Sequence, residues 1–441
     1  MLSTVQSKFQ PVQAANRINS LDVIRGIALL GILLMNIAGM GLPFAYSDPT
    51  VYGGADGWNL KSWIMTNMFF EGTMRGMFSM LFGAGVILLT SRLEKNGAGI
   101  NTADIYYRRI IWLFIFGLIH VYLLLWDGEI LYPYALCGLF LFPLRNIVPK
   151  NLIIGGLIIL FLGTLWNFSD YQNMKTQKVE GLEAAALKKQ GDSLNPEQTA
   201  AFEKWEKITN KKSEEELQEE IAARHEGYWS NVLHKVKENQ FMQTYVMYRY
   251  FFYDIIAFMI LGMAFFKLRI FHAEKSNKFY LIMMAIGYAI GLSINYYETS
   301  ALISSNFDPM VSAKTSLTYD IGRLTMTMGH IGLIMLFVKS GILKFLQKSL
   351  AAVGRMALTN YLMHSIITGI IFLGFGFSMF GKLERHELYY IVFAIWIAQL
   401  IYSPIWLKYF KYGPFEWLWR SLTYGKKQQF KISSTKDTGV D

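Results

Sequence analysis

The sequence predicts an all-α fold, a polytopic helical membrane bundle of about ten transmembrane helices with an extracytoplasmic helical insert. Three observations lead there. The 441 residues are 53% hydrophobic and only 17% charged, too apolar for an ordinary soluble enzyme. Apolar runs recur at the length needed to cross a bilayer. The loops between them alternate in Lys and Arg content, as the positive-inside rule requires.

Candidate spans lie at 21–42, 74–90, 110–126, 130–148 and 152–168, then at 245–266, 279–297, 321–338, 357–377 and 388–407. Residues 1–169 thus hold membrane helices one to five, 170–240 a charged helical insert, 241–425 helices six to ten, and 426–441 a tail. Arg92, Lys95, Arg108 and Arg109 share one loop, Arg145 and Lys150 another, and Lys267, Arg269, Lys275 and Lys278 a third. Lys339, Lys344, Lys348, Arg355 and the basic tail follow on the same side, so both termini are expected in the cytoplasm. The net charge of +10 then belongs to helix ends and anionic lipid, and nucleic acid is not an expected partner. Cys137 is the single cysteine, which excludes an intramolecular disulfide. The first apolar stretch is too long for a signal-peptide core and no small-residue cleavage site follows it, so it is expected to stay as a signal anchor.

Between 170 and 240 the chain turns polar. Asn195 before Pro196 is an N-cap and first-turn signal, and Ser213 to Glu216, SEEE, reads as a capping box. These features predict short solvated helices serving as a polar lid, spacer or acceptor-recognition cap, with His225 and His234 as surface residues. No zinc-type spacing accompanies these histidines, and no metal is expected. No internal repeat of the kind that builds many secondary transporters is present. A G-x-x-x-x-G-K nucleotide loop is also missing.

Candidate functional residues fall on two spans. Asp22 and Arg25 are three apart on one face of the first, and Asn36 stands eleven residues beyond Arg25, about 16 Å farther along that face. Charges in such a helix are costly unless they face a partner or a water-filled cavity, which makes them candidates for a site. The third span repeats the arrangement, opening with Arg108 and Arg109 and carrying His120 eleven residues after Arg109. Asp127 and Glu129 follow in the turn WDGEILYP, close enough in sequence to orient His120. Glu71 and Arg75, four apart, read as an ion pair, and Gly72, Gly76, Ser79 and Gly83 as small residues for close helix packing. Asn360, Tyr361 and His364 read as bonds to neighbouring helices, and FEWLWR, with Trp417, Trp419 and Arg420, as an interfacial anchor.

LDVIRGIALLGILLMNI, FFEGTMRGMFSMLFGAGV, YYRRIIWLFIFGLIHVYLLLWDGEILYPYALCG, GRMALTNYLMHSI and YGPFEWLWRSLTYG together resemble the YeiB-like family of bacterial membrane proteins, whose C-terminal half is classed as a domain of unknown function. The resemblance covers nearly the whole chain except the 170–240 insert, and implies a multi-pass protein of the bacterial cytoplasmic membrane. More distantly, the first helix is similar to that of transmembrane acyltransferases, including the acyltransferase-three family and the heparan-α-glucosaminide acetyltransferase-like proteins. Those place an Asp, an Arg-Gly pair and, eleven residues past the Arg, a His or an Asn, matched here by Asp22, Arg25, Gly26 and Asn36. Such enzymes carry an acyl group from cytoplasmic acyl-CoA to an acceptor on the far side. This chain departs from the first group in having Asn36 in place of His, and from the second in having no His at 40–70.

The resemblance implies an acyltransferase, with a transporter of a small anionic solute as the alternative. In the first reading His120 is the base, Asn36 steadies the oxyanion, and Asp127 and Glu129 orient the imidazole. Asp22, Arg25, Arg108 and Arg109 form the donor site, where guanidinium forks suit the phosphates of acyl-CoA, a co-substrate rather than a tightly bound cofactor. The expected partners are membrane lipids and a small-molecule or glycan acceptor, or a lipid bearing a hydroxyl or amine; a homodimer is compatible with this.

Overall fold

The computed structural model describes residues 18–432, which are almost wholly helical. Among the described residues there is no β-strand, only a single antiparallel bridge between Phe410 and Lys431. Eight stretches of helix are long and apolar enough to cross a membrane, and two shorter apolar helices, Leu131–Leu144 and Ala357–Phe372, fall at the two remaining expected spans. Residues 1–17 and the expected tail beyond 432 lie outside the described residues.

The first half of the bundle comprises α1 (Asn19–Gly41), α2 (Gly57–Phe69), α3 (Thr73–Lys95), α4 (Asn101–Leu123), α5 (Leu131–Leu144) and α6 (Pro149–Gln190). The polar segment forms α7 (Pro196–Thr209), α8 (Glu214–Arg224) and α9 (Tyr228–Phe241). The second half contains α10 (Phe252–Lys267), α11 (Asn277–Ser304), α12 (Pro309–Ser340), α13 (Lys344–Arg355), α14 (Ala357–Phe372), α15 (Arg385–Tyr409) and α16 (Pro414–Tyr424). Basic residues close α3, α10, α12 and α15, which defines a basic end of the bundle. The polar segment covers the opposite, lid end.

Two expected borders fall inside helices. α6 continues 22 residues past 168 and reaches about 63 Å, twice a ~30 Å hydrocarbon core. No proline interrupts it, and Asp170 on the prolongation binds Arg249 of the incoming chain. At the other border, α9 runs through a ten-residue π-helix, Met242–Phe251, directly into α10. The N-cap expected at Asn195 forms, completed by Gln198 into a capping box, and the capping box expected at Ser213 forms as read.

Packing depends on backbone contact at two crossings. A β-carbon on Gly83 of α3 would overlap the Met259 carbonyl of α10, and one on Gly262 the Met80 carbonyl. Gly26 of α1 and Gly354 of α13 abut the backbones of Leu350 and Asp22 in the same way. Gly26 of the Arg-Gly pair is therefore a packing residue. α13 buries Leu350, Ala351 and Val353 there while Lys344 and Lys348 stay exposed, and the helix breaks at Met356 before α14.

Candidate functional site

The upper half of α1 faces a cavity of about 950 Å³ at the lid end, with Ile32, Met35, Asn36 and Gly39 on its wall. The volume lies within the range of small-molecule sites, ~300–1,000 Å³. The turn between α4 and α5 contributes Asp127 and Glu129, so three of the four expected catalytic side chains line one space.

Glu129 sits at the N-terminus of α5 and accepts from the Leu131 amide at 2.7 Å and the Tyr132 amide at 3.1 Å. Burial pushes its carboxyl up to about 8, against the pull of those two amides. Behind it, His120 is fully buried and does not line the cavity, which corrects the expectation that the imidazole meets the acceptor directly. Its Nδ1 lies 4.0 Å from Glu129 Oε2, its Nε2 2.7 Å from Ser365 Oγ, and Tyr361 packs edge-on against the ring. The Tyr361 hydroxyl in turn accepts from the Ile130 amide. A line of polar atoms therefore runs from the cavity through Glu129 and His120 to Ser365.

Asp127 does not orient His120. Lys235 of α9 donates to it at 2.9 Å and to Glu238 at 2.7 Å, tying the lid to the turn. Although burial works against ionisation, Lys235 and Arg224 hold the Asp127 carboxyl down at about 2. Arg224, which pairs with Glu220 at 2.6 Å, also caps the cavity, and its carbonyl accepts from Gly374.

The expected donor residues lie at the basic end, away from this cavity. Arg25 pairs with Asp22 at 3.0 Å, Arg108 with Asp104 at 2.6 Å, and Arg109 stacks on Trp419 with 3.6 Å to the ring centroid. Trp419 also donates to the Arg109 carbonyl, so the aromatic helix α16 docks on the start of α4. Sequence spacing missed three further members, Arg420, Arg92 and Arg355: Arg420 lies within the field of Arg109, as the expected Arg25 does, Arg92 within that of Arg420 and Asp22, and Arg355 within that of Asp22.

A second omission is the charged wall of the cavity. Arg75 donates to Asp254 at 3.3 Å, not to Glu71, and Arg323 binds both Asp254 and, at 3.0 Å, Asp320. Glu71 instead accepts from Tyr319 at 3.1 Å. Lone charges at 254 and 323 inside apolar runs were the available signal. Asn360, Tyr361 and His364 bond to neighbouring helices, His364 to Gln399 at 3.1 Å, and do not line the cavity.

Fold and site define a polytopic helical membrane protein with a cavity carrying charged side chains on its wall at one end and an arginine cluster at the other. Residues 265–426 match the family described as "Protein of unknown function (DUF418)". The chain is 29% identical to the uncharacterized protein YxaH of Bacillus subtilis (strain 168), over 95% of this chain and 97% of that one. It is also 29% identical to the uncharacterized protein YeiB of Escherichia coli (strain K12), over 92% and 95% of the two chains. A 39.9 kDa protein in the amylase 3′ region of Bacillus acidopullulyticus is 27% identical over 97% and 99%. The match to the C-terminal part and the similarity to these proteins over nearly their whole length support the YeiB-like resemblance. No solved structure matches it.

Proposed function

We propose that this chain is a membrane acyltransferase that moves an acyl group from acyl-CoA at the basic end to an acceptor held in the lid-end cavity. One observation carries the reading: a single helix, α1, has Arg25 in an arginine cluster at one end and Asn36 facing a carboxylate-lined cavity at the other. In this reading, supported by the positive-inside pattern of the basic loops, that end and both termini face the cytoplasmic side of the bacterial cytoplasmic membrane. The acceptor then enters from outside, beneath the polar lid, and is a glycan or lipid hydroxyl or amine.

In this reading the acceptor oxygen or nitrogen attacks the thioester carbonyl, the new bond to carbon forms, and the carbon–sulfur bond breaks. Glu129, the carboxylate on the cavity wall, takes the acceptor proton and passes it to the departing sulfur, so that CoA leaves as the thiol and Glu129 is returned to its ionised form. His120 acts behind Glu129 as a positioning group, and Asn36 donates to the developing oxyanion. Arg25, Arg108 and Arg109 hold the donor's phosphates, joined by Arg92, Arg355 and Arg420.

Calorimetry and native mass spectrometry on the purified chain provide the test. Acyl-CoA should bind, binding should weaken as salt screens the arginines, and Arg25→Ala should reduce affinity with partial rescue by Arg25→Lys. Absence of acyl-CoA binding to well-folded protein overturns the reading. The charged wall formed by Arg75, Asp254 and Arg323 favours the second reading, transport of a small anionic solute. That reading requires solute uptake by proteoliposomes without CoA binding.

A further inference from the structure

The cavity wall built by α3, α10 and α12 carries two arginines in different situations. Arg323 has a side chain only 1% exposed, and its Nη2 bridges Asp254 and Asp320. Asp320 also accepts from Thr164 and Tyr253. Each aspartate thus has an arginine partner within the wall, with Arg75 the second one for Asp254. Arg75 is anchored but not consumed: Nε donates to Asp254, and the guanidinium carbon lies 4.9 Å from the centroid of the Phe251 ring. Among the described residues its two terminal amino groups make no hydrogen bond, and its side chain is 21% exposed on the cavity wall, against 4% for Asp254.

A guanidinium fixed at Nε and stacked on one face presents a planar, pre-oriented pair of donors, the geometry that meets a carboxylate or phosphate bidentately. The remaining charge beside it, Glu71, is turned to Tyr319 and also interacts with Tyr46. We propose that Arg75 is an oxyanion clamp, so that the molecule admitted to this cavity carries a phosphate or carboxylate group alongside the group to be acylated. The inference rests on the proposed function only in treating the cavity's occupant as the acceptor. The oxyanion has two available sources, a lipid headgroup or a free solute.

The full chain in nanodiscs decides between them, without acyl-CoA. Glycerol 3-phosphate titrated into phosphatidylcholine nanodiscs tests the free source, with glycerol as the neutral control. Nanodiscs containing phosphatidylglycerol test the lipid source through the thermal midpoint. In at least one arm the anion should bind or stabilise, glycerol should not, Arg75→Ala should weaken the effect at least about tenfold, and Arg75→Lys should restore part of it. Glu71→Gln removes a repelling charge and should tighten anion binding several-fold; a merely structural Arg75 predicts no such gain. If Arg75→Ala does not fold, the Arg75→Lys loss and the Glu71→Gln gain carry the decision. Equal binding by wild type and the Arg75 variants, weaker binding in Glu71→Gln, or no anion effect in either arm overturns the clamp. Anion binding that survives alongside failed acyl transfer refutes the enzyme reading alone.

Discussion

At Glu129 two demands meet in one carboxyl. Burial favours its neutral form up to about 8, yet a proton acceptor must be ionised. Acyl transfer should therefore rise with pH through about 8, and Glu129→Gln should flatten that limb and cost roughly 10²–10⁴ in rate. His120→Ala, one step behind, should cost less and leave acyl-CoA binding intact; a flat wild-type profile in an initial-rate assay would sink the assignment. The same shift bears on stability with a definite sign. A carboxyl whose folded value is raised loses its contribution as pH climbs through about 8, so thermal midpoints should fall on that side, and less so in Glu129→Gln. Asp127 behaves oppositely, since its contribution is present above the unfolded carboxylate range and is lost only as pH approaches about 2. The turn residues were legible in WDGEILYP because charges flanking an apolar helix announce themselves. Their division of labour was not, because Lys235 lies 108 residues from Asp127 and only the folded lid brings it there.

Among the elements, the helix crossings and the lid latch make the sharpest predictions. Gly83→Leu must push α3 off the Met259 carbonyl, an overpacking that costs about 1–3 kcal/mol or more and should lower the denaturation midpoint. Lys235→Met leaves Asp127 and Glu238 without their shared cation, so the lid should loosen; limited proteolysis around 191–213 should accelerate relative to wild type, and an unchanged rate would show that the latch does not hold it. The spans themselves were readable from length and hydropathy. The far end of α6 was not, for a physical reason: after Phe168 the chain becomes polar but keeps strong helix formers, as in QNMKTQKVEGLEAAALKKQ. Hydropathy marks where a helix leaves hydrocarbon, which is a different place from where it stops. The wall formed by Arg75, Asp254 and Arg323 stayed hidden for a related reason, since its members come from three helices and Arg75 finds its partner 179 residues away instead of four.

For the whole molecule, the two-ended arrangement is tested by sidedness. Cysteines placed at Lys188 or Ser213 should react with an impermeant thiol reagent from outside intact cells, and one at Asn277 should not; the reverse pattern inverts the orientation and with it the direction of transfer. The lid is joined to the bundle by helix on both flanks, through α6 on one side and through the π-helix into α10 on the other. At neither flank does a loop join it to the bundle. Tilt of the rod that begins at Pro149 carries its end of the lid with it, and tilt is what a bilayer governs through its thickness. A thinner membrane leans a long rod over, so occupancy of the cavity should respond to the acyl-chain length of the surrounding lipid, and occupancy indifferent to that length would separate rod from lid.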